Sequence, residues 1–362
     1  PLERGGQNKS LVHTNLRPLE EFIKMKKQLL ASCILLAIAG CGNKNASVDD
    51  HSSHTGHETE TAAPIEKVET ATASWTCPAQ PGTAPSGELV AERIPGANST
   101  RTEAGLYEGP VWIGDKLYFS DFLFSEGFPS RIQVLHPDGT VTTAIENSGS
   151  NGLAATKDGM ILAATHDRKA ISIFYDPAKG ERDVLVNKFE DDAFNSPNDL
   201  TISSKGILYF TDPDYQRSAA PGGQPKTRVY QFDGVTITVV DDSLNNPNGI
   251  SLSPDESTLY VAGGSVLRAY PIEDGNVGEG RDIAVIDGPD GMAVDCLGNL
   301  YVTEHGQQRI RVISPAGEDL AVIKVDANVT NAAFGGPERK TLFITGAGAV
   351  WKLDLQVAGL PY

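Results

Sequence analysis

Asn248-Gly-Ile-Ser-Leu-Ser-Pro-Asp-Glu-Ser-Thr-Leu-Tyr-Val261 reads as a polar leading residue, a strand, a turn and a second strand. Apolar and polar residues alternate through Ile250-Ser-Leu-Ser253, which is the period of a β-strand. The plan recurs on both sides of this stretch. Upstream are Glu108-Gly-Pro-Val-Trp-Ile-Gly-Asp-Lys-Leu-Tyr-Phe119, Asn151-Gly-Leu-Ala-Ala-Thr-Lys-Asp-Gly-Met-Ile-Leu162 and Asn198-Asp-Leu-Thr-Ile-Ser-Ser-Lys-Gly-Ile-Leu-Tyr-Phe210. Downstream are Asp290-Gly-Met-Ala-Val-Asp-Cys-Leu-Gly-Asn-Leu-Tyr-Val302 and Asn331-Ala-Ala-Phe-Gly-Gly-Pro-Glu-Arg-Lys-Thr-Leu-Phe-Ile344. Asp-Gly and Lys-Gly steps lie between the paired runs, as hairpin connections require.

The six leading residues are 43, 47, 50, 42 and 41 positions apart. A period in the forties made of short strands is the length of a four-stranded propeller blade. No segment has helical periodicity. The fold class expected is therefore all-β, a six-bladed β-propeller. The sixth repeat, from Asn331 to about Val357, is too short for four strands. A propeller must close its ring to avoid exposed sheet edges. Leu89-Val-Ala-Glu-Arg-Ile94 is strand-like and is expected to close the ring as the outer strand of the last blade.

In a propeller each leading residue would start an innermost strand, so the six would gather at one end of the channel. They are Glu108, Asn151, Asn198, Asn248, Asp290 and Asn331, all carboxylates or carboxamides. Hard oxygen donors of this kind suit one divalent metal ion, Ca²⁺ first, with Mg²⁺, Mn²⁺ or Zn²⁺ as alternatives. The competing reading is that Asn-Gly and Asp-Gly are turn residues. It leaves Glu108, a weak turn former, unexplained, and the hairpin turns fall six to eight residues later.

Six short motifs occur in order at blade spacing: Glu108-Gly-Pro-Val-Trp112, Ser196-Pro-Asn-Asp199, Thr211-Asp-Pro213, Asn246-Pro-Asn-Gly249, Pro289-Asp-Gly-Met292 and Thr330-Asn-Ala-Ala-Phe-Gly-Gly336. With them the chain resembles, over roughly residues 88–356, the gluconolactonase, regucalcin (senescence marker protein) and luciferin-regenerating-enzyme-like family. The resemblance implies a metal held by Glu108, Asn248 and Asp290, with Asn198 as a fourth ligand or substrate contact. It implies hydrolysis of a sugar lactone, with the metal polarising the carbonyl and Asp290 activating water. Asn151, His166 and Asp199 are the candidate substrate contacts. His305, in Glu304-His-Gly306, has the matching place in its own repeat. Animal members carry an arginine where this chain has Ser196, which puts the substrate in doubt rather than the metal.

Alternatives from other classes stay open. One is a non-catalytic, metal-containing propeller that binds a sugar acid or a protein partner. Others are a lactonase or esterase of non-sugar substrates and a strictosidine-synthase-like propeller. There is no Gly-x-Ser-x-Gly elbow and no phosphate-cradling loop.

Ahead of the repeats the chain changes character. Met25, with Lys26 and Lys27, opens a signal-like segment, and Leu29 to Ala39 is an apolar stretch too short to span a bilayer. Ile38-Ala-Gly-Cys41 resembles the cleavage box of bacterial lipoproteins. Residues 1–40 are thus read as an upstream extension plus lipoprotein signal peptide. Acylation of Cys41 would make the membrane a partner. The localisation expected is that of an exported bacterial lipoprotein facing the periplasm, with the outer membrane favoured by Gly42, or the cell surface.

Residues 41–87 are read as a disordered tether, since they are polar and poor in large apolar side chains. The tether holds His51, His54 and His57, read as solvated. Residues 88–362 are the propeller. The net charge is −17, and −20 once residues 1–40 are removed. There is no basic stripe, so nucleic acid is not an expected partner. Cys77 and Cys296 are the cysteines left beyond Cys41, and an oxidising compartment would permit them to pair.

Overall fold

The computed structural model describes residues 76–360. The signal segment, Cys41 and the three tether histidines lie outside the described residues. Within them the chain forms the six-bladed β-propeller expected from the repeats, with three short 3₁₀ turns as its helical content.

Each blade is an antiparallel sheet that runs outward from the channel. Blade 1 is Gly105–Ile113, Lys116–Leu123, Ser130–Leu135 and Val141–Ile145. Blade 2 is Ser150–Ala155, Ile161–Thr165, Ala170–Phe174 and Arg182–Val186. Blade 3 is Leu200–Ile202, Leu208–Asp212, Arg228–Phe232 and Ile237–Asp241. Blade 4 is Pro247–Leu252, Thr258–Gly263, Val266–Glu273 and Arg281–Val285. Blade 5 is Pro289–Val294, Leu300–Glu304, Arg309–Ile313 and Asp319–Lys324. Blade 6 contributes Val329–Gly335, Thr341–Gly346 and Val350–Asp354. The first strand of each blade packs beside the first strands of its two neighbours, and the strands of blades 6 and 1 complete the circle.

Ring closure divides the run that the sequence offered as one strand. Glu92–Arg93 pairs antiparallel with Val350–Asp354 and gives blade 6 its outer strand. Gly87–Val90 instead pairs in parallel with Asp319–Lys324 and adds a fifth strand to blade 5. The expected closure through residues 89–94 is thus corrected to residues 92–93. The physical gain is that one short run covers the outer edges of two neighbouring blades.

Apolar side chains fill the spaces between blades. Between blades 1 and 2 lie Val111, Ile132, Leu153, Ile161 and Phe174, all buried. Each such side chain stabilises by about 1.5–3 kcal/mol on burial. Hydroxyl groups on the second strands satisfy carbonyls of the next innermost strand, which have no ladder partner on that side. Ser120 Oγ donates to the Asn151 carbonyl at 2.6 Å. Thr211 Oγ1 donates to Asn248 O at 2.7 Å and Thr303 Oγ1 to Thr330 O at 2.8 Å. Thr330 Oγ1 donates to Tyr107 O at 2.5 Å and joins blade 6 to blade 1.

Residues just ahead of the propeller are bonded to it. Cys77 is in a disulfide with Cys296, with Cα atoms 5.6 Å apart. Ala358 N donates to Pro81 O at 2.7 Å, and Thr83 N to Gln356 O at 3.0 Å. This part of the expected tether therefore belongs structurally with the propeller.

Candidate active site

The six leading residues stand where the innermost strands begin. Glu108, Asn151, Asn248, Asp290 and Asn331 lie within those strands, and Asn198 lies just before Leu200–Ile202. All six are buried. The strands are brought together so closely that the following residue is usually glycine. A Cβ on Gly249 would stand 2.4 Å from the Asp290 carbonyl oxygen. A Cβ on Gly291 would stand 1.9 Å from Cγ of Asn331. The glycines of these pairs thus answer to close approach at the channel rather than to a turn.

The third repeat has Asp199 at the glycine place. Its Oδ1 accepts from Leu200 N at 2.9 Å, and its Oδ2 accepts from Asn331 Nδ2 at 3.1 Å. Asn331 Oδ1 in turn accepts from Ala332 N at 2.8 Å. Asn331 and Asp199 thereby link blades 6 and 3 across the channel. Asn151 Oδ1 is buried and has no hydrogen-bond partner among the described residues.

Three carboxylates share this end of the channel. Burial pushes Glu108 well above the ordinary carboxylate range, and the charges of Asp290 and Asp199 push it further. Burial raises Asp199 to about 7 against the hydrogen bonds from Asn331 and Leu200. Burial also raises Asp290, opposed by its polar neighbours His305, Asn248 and Glu108. His305 Nδ1 lies 3.3 Å from Asp290 Oδ2, and this contact raises the imidazole pKa. No lysine or arginine is paired with Glu108, Asp199 or Asp290 among the described residues.

This donor set fits a divalent cation. It supplies concentrated negative charge in low dielectric and carboxamide oxygens beside it, and among the described residues no lysine or arginine neutralises it. Among the described residues no three His, Cys, Asp or Glu side chains form a metal group by themselves. Carboxamides stand beside the carboxylates: Asn248 neighbours Asp290, and Asn331 bonds Asp199.

The family model for the "SMP-30/Gluconolactonase/LRE-like region" matches residues 106–348. The chain belongs to this family. Among relatives of this SMP-30/gluconolactonase-family propeller, a gluconolactonase of Zymomonas mobilis is 29 % identical over 289 residues, covering 70 % of this chain and 79 % of that protein. A pentonolactonase of Haloferax volcanii is 26 % identical over 293 residues, covering 72 % and 94 %. A solved gluconolactonase from Xanthomonas campestris superposes with a TM-score of 0.64 at 28 % identity, covering 77 % of this chain and all of that one. A calcium-binding regucalcin from Agrobacterium tumefaciens shares the fold, with a TM-score of 0.63 at 21 % identity and coverage of 76 % and 97 %.

Within this family propeller the remaining sequence candidates fall in different settings. His166 follows the second strand of blade 2, and its ring is wholly buried. Its Nε2 lies 2.6 Å from the Phe128 carbonyl, and Phe122 and Phe128 meet it edge-on. Burial lowers its pKa. Ser196 sits beside Asn198, where its amide donates to Asp212 Oδ1 at 2.7 Å. Asn195 N donates to the other oxygen of that carboxylate at 2.9 Å. Asp212 thus holds the approach to Asn198. Sequence reasoning assigned it no part, although Thr211-Asp-Pro213 was among the motifs. Asn331 likewise had no role assigned beyond leading its repeat. His305 was named only by analogy of position, yet it is the imidazole that touches Asp290.

Proposed function

We propose that this protein is a metal-dependent hydrolase of sugar lactones. The carrying observation is the cluster of Glu108, Asp199 and Asp290, buried together with carboxamides and without a lysine or arginine partner among the described residues. The lactonases among its relatives support the same reading. Glu108, Asn198, Asn248 and Asp290 would hold the ion, with Ca²⁺ first among the candidates. A divalent ion bound there supplies the positive charge that polarises the lactone carbonyl.

The chain's own groups do the rest. Asp290 takes a proton from water as general base, so that the water oxygen bonds to the carbonyl carbon. The ring C–O bond then breaks, its oxygen takes the proton that Asp290 accepted from water, and a hydroxy acid leaves. His305, on Asp290 Oδ2, orients that carboxylate. Asn151 and Asp199 face substrate hydroxyl groups. His166 shapes the rim of the mouth through the Phe128 segment.

The anchor is part of the proposal. Cys41 is acylated after cleavage, and the protein faces the periplasm from the outer membrane. The pairing of Cys77 with Cys296 supports export, since disulfides persist in oxidising compartments. Mass analysis of the Cys41 peptide and release of a Cys41→Ser variant into the soluble fraction test this part.

Activity is tested by proton release from glucono-δ-lactone, using the full chain after chelation and after return of Ca²⁺, Zn²⁺, Mn²⁺ or Mg²⁺. Metal-restored turnover is the expected result. Tight metal binding without turnover on a panel of lactones would replace the enzyme with a sugar-acid-binding propeller.

A further inference from the structure

Residues 213–220 belong to the connection between the second and third strands of blade 3, and Asp214 and Tyr215 lie against Asn246, two residues before Asn248. Nothing in the ligand set draws on them. The segment is fastened to the two stretches that carry Asn198 and Asn248. Asp214 N donates to Asn246 Oδ1 at 3.2 Å. Ser196 Oγ donates to Gln216 Oε1 at 3.4 Å. Lys169, buried in blade 2, donates from Nζ to the Arg217 carbonyl at 2.8 Å and to the Asn195 carbonyl at 2.5 Å.

Tyr215 lies between these fastenings. Its side chain is 48 % exposed, a large open area for an aromatic residue beside buried carboxylates. Its hydroxyl end points inward. Oη is 3.5 Å from the Asn246 carbonyl oxygen. Burial raises the phenol's pKa, and the nearby Asp290 carboxylate raises it further while Asn248 opposes the rise. The ring therefore offers an apolar face to the mouth and a phenolic donor at its inner edge. That pairing suits a polyol, whose C–H faces pack on an aromatic ring while its hydroxyls exchange hydrogen bonds with a phenol.

We propose that Tyr215 is a substrate-binding residue that selects polyhydroxylated lactones over unsubstituted ones. The proposal rests on the lactonase reading above. It differs from a role confined to orienting Asn248, which would weaken the metal and slow every lactone alike.

The test uses the full, metal-loaded chain with Tyr215→Phe and Tyr215→Ala, assayed on glucono-δ-lactone and on δ-valerolactone. Calcium affinity is measured in parallel by titration calorimetry. Tyr215→Phe is expected to raise KM for glucono-δ-lactone about fivefold to tenfold, the worth of one neutral hydrogen bond. kcat, δ-valerolactone turnover and calcium affinity should stay within about twofold, because the metal-holding side chains and the base are themselves unchanged and the proposed contact is to the substrate. Tyr215→Ala should raise KM further by removing the ring face. An unchanged KM, an equal loss on both lactones, or weakened calcium binding overturns the proposal. A wild-type chain that binds calcium and hydrolyses neither lactone overturns the lactonase reading, and the proposal falls with it.

Discussion

The two ends of the channel are built from the same six strands and have opposite chemistry. At the mouth the innermost strands carry Glu108, Asn151, Asn248, Asp290 and Asn331. Toward the far end they present Trp112, Ile202, Val294 and Phe334, with Leu360 among them and Thr201, Ser251 and Arg339 as the polar part of the same lining. That tail is held by Leu360 N on Val294 O at 3.0 Å, and Cys296 N donates to Ala358 O at 2.8 Å. Cys296 follows Val294 closely, so the disulfide to Cys77 fastens the far end of the strand that begins with Asp290. The mouth gathers like charges that oppose one another, and the far end gathers apolar contacts and covalent closure. One end is arranged for chemistry at a cost in stability, and the other supplies the stability.

The strongest way to break that comparison is to remove a mouth carboxylate. Asp290→Ala and Glu108→Ala should each lower kcat/KM on glucono-δ-lactone by about a thousandfold or more, since metal and base are lost together. In metal-free protein the same changes should leave the melting temperature level or raise it, because buried like charge is relieved. A large drop in metal-free melting temperature would show that the mouth contributes stability, and the contrast would fail.

The pH dependence of metal-free stability sharpens the same point. Asp199 is raised from the ordinary 3.8 to about 7. Between those values the native state holds a proton that the unfolded chain has released. Stability should therefore fall as pH rises from about 4 to 7, by up to about 4 kcal/mol for this group. Denaturant melts across that range measure the slope. Asp199→Asn should reduce it without abolishing it, because burial also raises Asp212 to about 7. Calcium should oppose the fall, since it binds the ionised carboxylates. A stability that rises over this range would contradict the assignment.

Effects at the far end should be structural. The disulfide closes a sequence separation of 219 residues. Cys77→Ser with Cys296→Ser should cost about 2–4 kcal/mol in urea unfolding, with kcat/KM unchanged within about twofold. A much larger loss of activity would mean that the two ends are coupled through the Asp290 strand.

The smallest effect marks the border of the mouth. His166→Gln keeps a donor for the Phe128 carbonyl, so it should cost less than about 1 kcal/mol and leave KM unchanged. A tenfold rise in KM would move His166 inside the mouth.

The repeats made the propeller legible because a blade is a local object. A leading polar residue, an alternating strand and a hairpin turn lie within some fifteen residues, and their recurrence counts the blades. The same recurrence leads to the expectation of Glu108, Asn198, Asn248 and Asp290 at one end of the channel, and Glu108, Asn248 and Asp290 are neighbours there. What the repeats could not carry were contacts between residues far apart in the chain. Asn331 reaches Asp199 across 132 positions, and no periodicity encodes which two blades face each other through their side chains. His305 meets Asp290 only because the second strand of blade 5 ends beside the start of its first. Tyr215 enters the mouth on a connection, where backbone direction follows from Lys169, Ser196 and Asn246 rather than from a local pattern. The division of residues 87–93 between two blades, and the joining of Cys77 to Cys296, depend on which edges the closed ring leaves open. The sequence alone determined the architecture and the chemical type of the channel mouth, because strand period and turn chemistry are local. Tertiary structure decided the partners of each group, because those are set by closure of the ring.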